Sequence, residues 1–256
     1  MLRPLLLLFA SFPLLAQVHV DKLVIRQGET YSLAPSDILV SDTLVMMDSS
    51  RLLLNGLKRE NYIRARIVII GSNCVIEGHG IHGTPGRNGV EGVTPIGPCM
   101  NGGNGRSGAP GLQGTSGIDL FLYIDRLKAL GSLIINLNGG NGGNGGDGGK
   151  GGGGSPGTHH CNGGDGGNGG NGGFGGTGGN GGTLLLGGED LQALRSRIGS
   201  GLTLYNKGGT FGYGGVSGYS GSAGLGPSKK HGKGGVPGQD GKDGKPGNHG
   251  SVQFED

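Results

Sequence analysis

Tryptophan is absent from this sequence, and aromatic residues make up only 5% of it. Charge of one sign is missing too, since 21 basic residues face 18 acidic ones. A near-neutral chain with so few rings gives no reason to expect nucleic acid as a partner. Metal-ligand spacings such as CxxC or HxxxH do not occur, so the seven histidines and three cysteines imply no metal centre. No GKS or GKT triplet marks a phosphate loop. The many GxGxxG matches sit inside long glycine repeats rather than between a strand and a helix, so they carry no dinucleotide meaning. Asp119, Asp125, Glu189 and Asp190 show no paired geometry, and no nucleophile–base set stands out. The expectation is a protein that is not an enzyme and needs no cofactor. One weaker reading places a site at EGHGIHG, near Glu77, His79 and His82.

Long apolar runs are also missing. The longest lies at the start, where Arg3, the run Leu5 to Phe9, Pro13 and Ala16 have the layout of a secretory leader. It is too short to span a bilayer, which needs about 20 apolar residues. Residues 1–16 therefore read as a signal peptide, and the protein as secreted, periplasmic or on the cell surface, without a transmembrane segment. The sequence leaves its oligomeric state open.

Glycine is abundant, with 66 residues beside 11 prolines. Composition alone would suggest disorder, but the glycines are phase-locked. One arm runs Gly80, Gly83, Gly86, Gly89, Gly92, and five more follow, beginning at Gly102, Gly139, Gly163, Gly209 and Gly232. A polyproline-II-type helix has three residues per turn, so each arm would place its glycines in one row. Such a helix makes no internal hydrogen bonds, and a buried backbone must pair with neighbours. The glycine row is where neighbours can approach. At about 3.1 Å per residue an arm would be roughly 50 Å long.

The arms form three hairpins, 80–117, 139–182 and 208–250, each with an off-period tip. Apolar segments with strand character at 118–138 and 183–206 separate them, and these intervening strands are expected to join the N-terminal β region in one base. Residues 17–79 lack the glycine period and hold short strand-like runs such as RIVII. The expected architecture is mostly β plus glycine helices. An N-terminal β-rich base (17–79, sandwich or β-helix-like) would carry a six-rod antiparallel bundle spanning 80–251, with a terminal strand at 252–256. The second hairpin is nearly pure GGN and has two glycine rows per arm, so it should lie between the other two.

The tips gather the candidate site. Pro95, Pro98 and Cys99 lie in the first, His159, His160 and Cys161 in the second, and Lys229, Lys230 and His231 in the third. If the hairpins are adjacent, so are the tips, and export favours a Cys99–Cys161 disulfide. Cys74 is then left as a buried thiol. The other candidate surface is an outer-face ladder of Asn141, Asn144, Asn168, Asn171, Thr177 and Asn180, readable as ligand-binding or simply as polar cover.

These GGN and GxxG arms joined by turns resemble the polyglycine-II bundle proteins, a group that includes the snow flea glycine-rich antifreeze protein and the tip adhesins of phage tail fibres. The resemblance covers about residues 80–250 and implies a six-rod polyglycine-II bundle. The adhesins imply recognition by tip loops, the antifreeze protein a flat ice-binding face. Lys150, Asp165, Phe174 and Lys242 depart from such a face. GQDGKDGKPG also resembles collagen, although these runs turn back after a few triplets. The sequence thus suggests a structural or binding protein that presents tips or outer faces to an envelope or extracellular protein or glycan. Ice binding and a collagen-like surface protein are the alternatives.

Overall fold

Apolar residues recur at every second position in short runs, and this period lays down eleven strands in the computed structural model, which describes residues 17–129 and 131–255. The leader at 1–16 and the last residue of the expected terminal strand lie outside the described residues. The strands are β1 Val18–Ile25, β2 Thr30–Ser32, β3 Ile38–Met46, β4 Arg51–Leu53, β5 Glu60–Ile70, β6 Cys74–Glu77, β7 Asp119–Ala129, β8 Leu133–Asn136, β9 Leu184–Gly187, β10 Leu202–Tyr205 and β11 Val252–Glu255. A short helix, α1 Leu191–Arg197, lies between β9 and β10 and buries Leu191 and Leu194.

Odd strands form one sheet in the order β1-β3-β5-β7-β9-β11, and even strands form the other, β10-β8-β6-β4-β2. Every pairing is parallel. Parallel neighbours cannot be joined by a tight hairpin. Here the return path of each crossover is itself a strand of the opposite sheet, so the chain coils and lays one strand in each sheet per turn. The inward columns Leu39–Ile63–Leu122–Leu186 and Leu52–Ile76–Ile135–Leu204 fill the space between the sheets. In the odd sheet the inward step of two lengthens once to three, from Ser41 to Leu44, Ala65 to Val68 and Ile124 to Leu127. The pairing skips Asp42, Arg66 and Asp125 at that level. The break is aligned across the strands, so the sheet bends while its apolar side stays inward.

These two parallel sheets correct the expected fold. The base is not a sandwich but two parallel sheets, and beyond residues 17–79 it takes in the expected intervening strands at 119–136 and 184–205 and the terminal strand at 252–255. Alternation alone does not say which runs pair, and here each run pairs with the next-but-one. The six-rod antiparallel polyglycine-II bundle is also replaced. Apart from a 3-10 turn at Pro227–Lys229, residues 80–117, 139–182 and 208–250 hold no helix or strand, and their backbone hydrogen bonds run in both senses.

The glycine hairpins occupy equivalent corners of the coil. They replace the connections β6 to β7, β8 to β9 and β10 to β11, all passing from the even sheet to the odd one. Stacked strands therefore launch stacked arms. Gly83, Gly86 and Gly89 donate to the carbonyls of Asn141, Asn144 and Asp147 in the same direction (2.7–2.8 Å). Gly142, Gly145 and Gly148 donate likewise to Thr210, Tyr213 and Val216 (2.8 Å). Opposed arms bond in the reverse sense, as from Gly170, Gly173 and Gly176 to Gly149, Gly146 and Gly143 (2.8 Å). The second hairpin bonds to both others. Close approach explains its glycines: a Cβ on Gly146 would run into the Arg87 carbonyl.

Candidate functional site

The glycine period stops at the tips, where proline and bulkier residues force turns. The three tips meet. Cys99 and Cys161 are joined by a disulfide, with Cα atoms 6.0 Å apart. Cys99 N–H donates to the Pro156 carbonyl (2.8 Å), and Ser155 Oγ donates to the Pro95 carbonyl (2.9 Å). The third tip joins through Gly157 N–H on the Leu225 carbonyl and Gly163 N–H on the Lys230 carbonyl, both 2.8 Å. Cys99, Ser228 and Lys229 hold positive φ angles of 63°, 53° and 65°, left-handed geometry that non-glycine residues adopt at a cost. Cys74 remains a buried free thiol in the sheets.

The tip residues picked out by sequence fall on one end of the molecule. Pro98, His159, His160, Lys229, Lys230 and His231 are exposed there, and His231 Nδ1 accepts from Gly226 N–H at 3.1 Å. No cluster of three metal-ligating side chains occurs among the described residues. Sequence reasoning missed the aliphatic residues of this end. Ile96 is fully exposed at 104%, and Val93, Met100 and Leu225 also face solvent. Their signal was legible: large apolar residues fall at turns, where no core can use them.

The proposed ladder is divided by the structure. Asn141 and Asn144 lie in one layer of arms, while Asn168, Asn171, Thr177 and Asn180 lie in the other. The asparagine carboxamides have a shared task. Glycine N–H groups bond between arms, but the N–H of every third residue has no such partner. Asn141 and Asn144 Oδ1 accept from Thr210 and Tyr213 N–H at 3.0 Å. Asn168, Asn171 and Asn180 Oδ1 accept from Val236, Gln239 and Asn248 N–H at 2.8–2.9 Å. Asp147 and Asp165 do the same for Val216 and Lys233. The polar column is stitching first and surface second.

At the junction of arms and sheets, Glu77 Oε1 lies 2.6 Å from both His79 Nδ1 and Asn136 Nδ2. His79 borders a depression of about 320 Å³ with Leu57 and Ile81 on its rim. His82 is elsewhere, accepting from Asn141 N–H at 2.8 Å, so the three groups do not converge. No helix among the described residues is long and apolar enough to cross a membrane. No protein-family model matches the chain, and no curated protein or solved structure is similar to it.

Proposed function

We propose that this chain is a non-enzymatic, exported binding protein of the envelope or extracellular space that presents its tip face to a protein partner. One observation carries the reading: three tips, tied by a disulfide and backbone bonds at the far end of the arms, expose Ile96, Met100 and Leu225 beside Lys229 and Lys230. An ordered face with exposed apolar side chains beside a polar rim has the layout of a protein-binding patch. A face already tied in place also loses little conformational freedom on binding. The test is capture from an extracellular or envelope fraction with the whole protein and with an Ile96→Ser/Leu225→Ser variant. Partner capture by the parent and its loss in the variant, with unchanged melting temperature, support the proposal. Equal capture by both sinks it.

A further inference from the structure

The layer formed by arms 80–94, 139–154 and 208–224 carries a second surface, which runs along the arms and reaches the tip end at Thr94. Its middle arm ends in short or slender side chains, Asn141, Asn144, Asp147 and Lys150, then Gly153, so this arm forms a floor. Along one wall Tyr213, Val216 and Tyr219 stand out at successive triplets, 62%, 59% and 76% exposed. Asn144 and Asp147 fix the backbone of this wall through the Tyr213 and Val216 N–H groups. Phe211 packs edge-on against the Tyr213 ring, with centroids 5.3 Å apart, and steadies it. The opposite wall offers Asn88, Glu91 and Thr94. Two depressions of about 330 and 380 Å³ follow one another along the floor and share Glu91 and Lys150.

Tyr219, 76% exposed, packs against no part of the core. Tyr219 borders one depression of this trough together with Asn88 and Glu91, and Tyr213 stands on the same wall beyond it, at most about 20 Å away over six residues. Aromatic faces cover the C–H faces of pyranose rings, and carboxamides and carboxylates bind hydroxyl groups. The trough is long, shallow and of mixed charge, which suits a chain rather than a compact ligand and a neutral chain rather than an anionic one. We infer that this trough binds a linear neutral polysaccharide, with Tyr213 and Tyr219 as stacking platforms.

The experiment is calorimetric titration of the whole protein with cellohexaose and chitohexaose, and with heparin as the anionic control. Saturable binding of a neutral hexasaccharide is expected. It should weaken at least about tenfold in Tyr213→Ala/Tyr219→Ala, survive in Tyr213→Phe/Tyr219→Phe, which keeps the rings, and persist in the Ile96→Ser/Leu225→Ser tip variant. The inference is overturned if neither neutral probe binds, if only heparin binds, or if the alanine pair binds like the parent. Loss of binding in the tip variant alone would move the glycan to the tips and also overturn it. Both tyrosines are mostly exposed, so melting temperatures should agree across the variants.

Discussion

Single residues divide sharply by what surrounds them. A side chain at Gly146 would meet the Arg87 carbonyl, whereas one at Gly234 would meet nothing within 4 Å. Gly146 lies in the second hairpin, and Gly234 lies in the third, beside the glycine row of its arm. Gly146→Ala should lower stability by about 1–3 kcal/mol, because rigid backbone must move aside. Gly234→Ala should raise it by about 0.4–1 kcal/mol through the unfolded chain. Thermal melts of the two variants check this, and equal shifts would show that the arms are not held at the distances described. The sequence made the row of close contacts legible, since only glycine recurs there. It did not reveal why asparagine fills the third place. That role depends on the spare N–H of a neighbouring arm about 69 residues away, as for Asn144 and Tyr213, a relation invisible until the register between arms is known.

The strands show the opposite balance. Their existence was legible from runs such as RIVII, but their partners were not. Alternation says which side of a strand is buried, and a sandwich or a coil of parallel strands buries the same side. Connections of a few residues decide between them only when the strands flanking them are seen in different sheets. The strands of 119–136 and 184–205 were legible in the same way, and they join the N-terminal strands in one base as expected, but their parallel order in two sheets was not readable from alternation. Stacking of equivalent positions has a measurable result in the odd sheet. Tyr62 of β5 lies on Phe121 of β7, with ring centroids 4.4 Å apart. Its hydroxyl donates to Glu60 Oε2 at 2.7 Å. That hydrogen bond, aided by burial, pushes the tyrosine up from 10.0 to about 12. Tyr123 is raised as well, chiefly by donating to Glu255 Oε2. A folded pKa above the unfolded one gives stability that is whole below pH 10 and is lost as pH rises towards 12. Tyr62→Phe should flatten that alkaline decline, read by denaturant melts across the interval. A decline of unchanged steepness would count against the Glu60 contact.

At the scale of the molecule, one coil sets the positions of three hairpins, and one disulfide ties two of them at the far end. Cys99 and Cys161 are 62 residues apart, and closing a loop of that length restricts the unfolded chain by about 4 kcal/mol. Cys99→Ser/Cys161→Ser should therefore melt well below the parent, as should the parent after reduction, while Cys74 stays unreactive until the sheets open. A double variant as stable as the parent would mean that the arms alone fix the tips. The tip disulfide followed from asking which hairpins are neighbours. The exposed aliphatic residues beside it did not enter that reasoning, which looked for polar chemistry.

The lateral bonds between arms also determine how the molecule would bear a load. A pull between the tip face and the sheets runs along the arms, across rungs repeated at every third residue, such as Gly142, Gly145 and Gly148 on Thr210, Tyr213 and Val216. Rungs loaded this way are sheared together rather than unzipped one at a time, so no single bond sets the breaking force. The arms would act as a stiff strut, yielding late and all at once, while the short strands at their root would peel first.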